Sequence, residues 1–296
     1  MAANTRDIRR RIKSIKNTAQ ITKAMQMVAA AKMRKAQTAA LAGRPYSELI
    51  NRVLVDLEKR TDVTLHPLLE QREVKRELVL VVSTDKGLCG ALNTNLLREL
   101  NQFNTETTDF ISVGRKAQQY LARTKRNLIA DFPIKDGAPL RETKAVSKLM
   151  IEKFLNKEVD KVTVVYTHFK NTLVQLPQVQ TLLPISPFDL PEVKEGDEAP
   201  PETDGIDPRN TYGYLYEPNA QDVLNFVLPH YIHYQVYQMI LDARASEHSA
   251  RMVAMKSATD NAKTLIKDLT LEYNKVRQAS ITTEILEIAT AQLALG

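Results

Sequence analysis

The chain has 296 residues, 43% of them hydrophobic and 26% charged, a formal net charge of +6 and a single cysteine, Cys89. That length supports one or two domains with a real core, and one cysteine excludes an internal disulfide and points to a reducing compartment. No apolar run approaches the roughly 20 residues of a membrane span, and the first residues turn polar where a signal peptide would be apolar, so the reading is a soluble, cytoplasmic protein.

The N-terminal segment predicts a long helix. Gly43 and Pro45 are the first strong helix breakers in the chain, and Ile8, Ile12, Ile15, Ala19 and Thr22 recur at alternating four- and three-residue steps, the spacing of a coiled-coil seam. Small residues, among them Ala24, Ala29, Ala30, Ala31 and Ala36, allow close approach of a partner helix. Residues 1–42 carry ten Lys or Arg against one acid, Asp7, which suits nucleic acid, a membrane surface or an acidic protein. Arg9, Arg10, Arg11, Lys13, Lys16 and Lys23 wrap this helix, but no interleaved aromatics or helix-turn-helix pattern accompany them. A solvated face, an acidic protein lining and nucleic acid remain open.

The middle of the chain alternates. Strands are expected at 77–83, 109–113, 127–130 and 161–166, with a further edge strand at 173–183, and helices at 91–103, 115–124 and 141–156. This order predicts a doubly wound, Rossmann-like α/β domain over 75–185. Thr84 to Gly90 follows the first strand, where such folds bind phosphate, yet its spacing matches neither the Walker pattern nor the dinucleotide fingerprint. A helix-capping turn or a partner-contact loop is the alternative. Cys89 lies in it with no histidine signature that would make it a nucleophile. An acidic, proline-rich surface loop, 186–212, closes the domain.

The C-terminal segment has no proline after Pro229, and its one glycine is Gly296. A helix from His230 to Leu295 would be a rod of roughly 100 Å and needs a partner along its length. Ile281, Ile285, Ile288, Gln292 and Leu295 repeat the seam spacing, and Pro229 is expected to kink or delay the helix. The shaft is therefore read as 1–60 paired with 220–296; two ordinary amphipathic helices on a globular domain is the plainer alternative. His230 and His233 share a face without a completing metal ligand, and Tyr231, Tyr234 and Tyr237 read as packing against the α/β domain. No triad, paired carboxylates, metal set or cofactor site emerges.

Several blocks in order resemble the gamma subunits of F-type ATP synthases of bacterial type: Ile8 to Thr18, Ile21 to Ala30, Asp85 to Asn93, Tyr214 to Pro218, Ala250 to Met255 with Ala258 to Ala262, and Tyr273 to Thr282 with Glu284 and Glu287. The resemblance implies an antiparallel coiled coil turning inside a hexamer of alternating alpha and beta subunits. Below it, the α/β domain would form a foot with the epsilon subunit on the c ring. It implies a non-catalytic chain without cofactor, peripheral on the cytoplasmic face of a bacterial inner membrane. Carried over residue by residue, Arg277 and Gln278 would bond a beta-subunit catch loop, with Thr282 and Glu284 beside them. Met25 and Cys89 would face the beta lever, and Tyr214, Tyr216 and Glu217 would lie in the foot near the c ring. Lys86 departs from the commoner arginine, and Ala291-Gln292 from a Gly-Ala pair. The competing classes are a coiled-coil nucleic-acid-binding protein and a small-molecule enzyme on the α/β domain.

Overall fold

A computed structural model describes residues 5–60, 66–134, 139–185 and 215–295. The breaker-free ends become the helices α1 (Thr5–Ala42) and α6 (Ala220–Leu295). Between them lie α2 (Arg44–Arg60), β1 (Glu77–Val82), α3 (Leu92–Arg98), β2 (Thr108–Val113), α4 (Arg115–Arg123), β3 (Asn127–Phe132), α5 (Leu140–Leu155), β4 (Lys161–Phe169) and β5 (Gln175–Leu183). The acidic loop at 186–212 and Tyr214 lie outside the described residues.

The five strands run in the order β3-β2-β1-β4-β5. β1, β2, β3 and β4 are parallel and β5 is antiparallel to β4. The sheet is therefore mixed at one edge, where the short β4–β5 connection leaves no room for a crossover helix. Alternate residues of the buried β1 feed two cores. Leu78, Leu80 and Val82 pack with Met150 and Phe154 of α5, Leu54 and Leu57 of α2, and Ile232, Val236 and Ile240 of α6. Val79 and Val81 pack on the other face with Leu96 of α3 and Ala117 and Leu121 of α4. Gly114, at φ 95°, admits no side chain, because a Cβ there would come within 2.3 Å of the Ser83 carbonyl oxygen. The Ser83 hydroxyl bonds the Val113 and Gly114 carbonyls and accepts from the Ala117 N–H, tying the start of α4 to β1.

Three features differ from the sequence reading. The first helix ends at Ala42, and α2 departs after Gly43 to join the foot's core. α6 starts at Ala220, at the expected boundary of the shaft segment but ten residues before the His230 start of the expected rod, because Asn219 caps it, its Oδ1 accepting from the Asp222 N–H at 2.8 Å. Pro229 sits inside this helix, where the carbonyl that loses its donor belongs to Asn225 on the exposed side. The third concerns the seam. Thr22 meets Thr259 hydroxyl to hydroxyl at 2.8 Å and the earlier Arg9 meets the later Tyr273 at 2.5 Å, so the helices are antiparallel. Counting outwards from the threonine pair puts Ile8 level with Tyr273 and Ile15 level with Ile266. On α6 the covered stripe is Met255, Thr259, Ala262, Ile266, Leu269, Tyr273 and Val276, at four- and three-residue steps. Ile281, Ile285 and Ile288 are exposed beyond it. The expected C-terminal seam thus has no α1 partner among the described residues, since α1 is 38 residues against 76 for α6.

Candidate functional site

The loop after β1 is a hook with its polar atoms turned inwards. The Thr84 hydroxyl donates to the Lys86 carbonyl at 2.7 Å, and the Asn93 amide donates to the Thr84 hydroxyl and the Cys89 sulfur. Leu88 and Gly90 adopt positive φ, which turns the chain so that Leu88 is 61% exposed while Cys89 is 2% exposed beneath it. Burial pushes the Cys89 thiol above its ordinary pKa, with Arg251 pulling it only partly back. That is the wrong direction for a thiolate nucleophile.

The crevice at the carboxyl ends of β1 and β4, where an open parallel sheet reverses its winding and ordinarily takes a ligand, is filled by α6. Asp242 accepts from the Phe169 N–H at 2.9 Å and lies 2.6 Å from His168 Nδ1. Ser246 donates to the Thr167 carbonyl and Ser249 to that of Thr172. Arg251 reaches the Lys86 and Gly87 carbonyls at 3.3–3.4 Å and pairs with Glu247 at 2.7 Å. Arg244 pairs with Glu247 at 2.8 Å. One stretch of shaft helix is thus clasped by the ends of two strands and the hook. What the fold does with this crevice is couple two bodies.

Beside the clasp lies a largely apolar groove of about 470 Å³, walled by Ile21, Ala24, Met25 and Val28 of α1, the hook with Leu88, and His248 and Arg251 of α6. Met25 lines this groove with Leu88 of the hook, whereas Cys89, the other residue expected to face a beta lever, lines a separate cavity with Gly90, Ala91 and Ala250. Further along, Tyr273 receives a 2.5 Å hydrogen bond from Arg9 Nη2 and lies 6.0 Å from the Arg277 guanidinium. The paired shaft closes at this layer. Arg277, Gln278, Thr282 and Glu284 follow on exposed single helix, with the Thr282 hydroxyl bonded to the Gln278 carbonyl at 2.9 Å. At the opposite end the Tyr216 hydroxyl donates to Asp56 of α2 at 2.8 Å, and Glu217 is exposed.

The histidines do not assemble a metal site. His230 contacts Tyr46 and His233 lies 2.6 Å from the Ser147 hydroxyl; no metal-holding group of three His, Cys, Asp or Glu occurs among the described residues. No described helix is long and apolar enough to cross a membrane. Arg9, Arg10, Arg11, Lys13, Lys16 and Lys23 all lie on the exposed face of α1. Sequence reading missed Leu88, Arg244 and Glu247. The three- and four-residue spacing of Arg244, Glu247 and Arg251 signals a charge ladder, but nothing in it signals the hook as its partner.

A family model described as "ATP synthase" matches residues 4–295. The ATP synthase gamma chain of Methylacidiphilum infernorum is 52% identical over 99% of this chain and all of its own length. That of Opitutus terrae is 50% identical over 99% of both. Among solved structures, a chain in the Euglena gracilis mitochondrial ATP synthase OSCP/F1/c-ring structure aligns with 98% of this chain and 94% of its own length at a TM-score of 0.62 and 22% identity. A chain in the Tetrahymena thermophila mitochondrial ATP synthase central stalk and c-ring structure aligns with 80% and 99% at 0.56 and 22%. At that identity these two likenesses speak to the fold.

Proposed function

The chain belongs to the ATP synthase gamma-chain family, and on that premise we propose that it is the central rotor stalk of a proton-translocating F-type ATP synthase. The observation that carries this is the course of α6. One unbroken helix of 76 residues, about 114 Å long, starts in the foot, is clasped across the sheet, pairs with α1 and then projects about 28 Å as a single helix over residues 277–295.

In this reading the chain carries no catalytic group of its own, and ATP chemistry belongs to the alpha and beta subunits around the shaft. The foot, from Tyr216 and Glu217 with the neighbouring Tyr214, sits with the epsilon subunit on the c ring, so the chain is peripheral to the cytoplasmic face of the bacterial inner membrane. Ring rotation turns the foot, the clasp passes torque into α6, and the eccentric shaft drives the beta sites through their states. Met25 and the hook meet a beta lever, with Leu88 as the exposed contact and Cys89 packed under it. Arg277 and Gln278 engage a beta catch loop where the shaft becomes single, and Thr282 and Glu284 continue that contact. The cationic face of α1 suits an acidic lining.

Co-purification tests the reading. The tagged chain is expected to bring down alpha and beta subunits in a stable complex with ATPase activity. A free chain that ignores them and binds DNA with a steep salt dependence would sink it.

A further inference from the structure

Burying a guanidinium is costly unless its donors are met, and the Arg244 side chain is 3% exposed, with both Nη atoms partnered and Nε left without a hydrogen-bond partner. It projects from α6 into the junction between shaft and sheet. Its Nη2 donates to the Ile134 carbonyl beyond β3 at 2.7 Å and lies 3.7 Å from the Asp85 carboxylate in the hook. Its Nη1 donates to Glu247, whose other oxygen holds Arg251, and Arg251 in turn binds the hook carbonyls. Two arginines and two carboxylates balance, so the cluster is neutral as a set while joining the shaft to the carboxyl ends of β1 and β3.

We infer that Arg244 is a positioning residue for rotary coupling, fixing the hook at Asp85–Gly90 to α6 so that the two move as one piece. Its consequence for pumping rests on the rotor reading; its effect on the hook does not. The hook carries Leu88, one wall of the groove beside Met25, and a hook free to lift from the shaft would yield under load before the lever moved. The planar fork is what spans Ile134, Asp85 and Glu247 at once, and an ammonium lacks that reach.

The chain's single cysteine reports on this directly, because Cys89 belongs to the hook and its side chain is turned inwards, 2% exposed. In the assembled complex at pH 8, alkylation of the Cys89 peptide is followed by mass spectrometry in wild type, Arg244→Met and Arg244→Lys. Arg244→Met keeps the volume and leaves Glu247 paired with Arg251, so no buried carboxylate is orphaned. It is expected to speed alkylation about tenfold by letting the hook open locally. Protons pumped per ATP should fall while hydrolysis stays within about twofold, with Arg244→Lys intermediate in both. His233→Gln, eleven residues earlier on α6 and packed against Ser147 of α5, controls for general loosening. Alkylation of Arg244→Met at the wild-type rate, or equal acceleration in His233→Gln, would overturn the inference. A wild-type complex that hydrolyses ATP without pumping overturns the rotor reading instead, and the alkylation rates then decide the role of Arg244 alone.

Discussion

Thr22 of α1 and Thr259 of α6 share a hydrogen bond of 2.8 Å between side chains 237 residues apart in sequence, and this pair sets the register of the shaft. Each hydroxyl also has a local carbonyl, Ala19 for Thr22 and Met255 for Thr259. Substitution of either by valine preserves shape and leaves the other partly satisfied. Thr259→Val should cost about 1 kcal/mol. Denaturant unfolding of both single variants and the double variant checks this: a shared bond predicts a double-variant loss smaller than the sum of the singles, and strict additivity would mean the pair is not coupled.

His233 supplies a pH dependence. Burial, reinforced by Lys144 and His230, lowers its pKa from 6.5 to about 4. The unfolded chain therefore takes a proton that the folded chain refuses. Its contribution is complete above about pH 6.5 and is lost as pH falls towards about 4. With the ring partly exposed, solvent screening reduces the effect to about 1 kcal/mol. Thermal unfolding at pH 7 and pH 5 should show a smaller drop for His233→Gln than for wild type; an equal drop would remove His233 from the account.

At Gly114 both the positive φ and the approach to Ser83 forbid a side chain. Gly114→Ala should destabilise the foot by about 2–4 kcal/mol, visible as a lower denaturation midpoint with an unchanged slope. A variant as stable as wild type would show that β2 and α4 can part without cost.

Met25 lies in the groove with the hook and Arg251. Met25→Lys should leave the complex assembled and hydrolysing ATP but lower proton pumping several-fold, because an added cation would hold an acidic beta lever too tightly. Full pumping in this variant would count against Met25 as a lever contact.

Much of this architecture was legible because its determinants are local. The β-branched, apolar runs expected as strands at 77–83 and 161–166 form β1 and β4, the latter extended to Phe169, since parallel central strands are buried on both faces. The absence of breakers exposed both long helices. What escaped depends on contacts distant in sequence. Ile281, Ile285 and Ile288 carry seam spacing, but spacing cannot reveal that α1 is too short to reach them. Cys89 sits in a recognisable block, yet only the positive φ of Leu88 decides that leucine faces out and cysteine in. Arg244 finds Ile134, 110 residues earlier in the chain, through a crevice that the motif-poor loop gave no reason to think was filled by a helix.

The most direct test of the rotor account is to watch the foot turn. With the alpha and beta subunits fixed to a surface and a probe attached through a cysteine introduced at Leu215, which is 86% exposed, ATP is expected to drive stepwise rotation in one direction, stopping when ATP is removed. A complex that hydrolyses ATP at its full rate while the probe only fluctuates about a fixed angle would contradict the account.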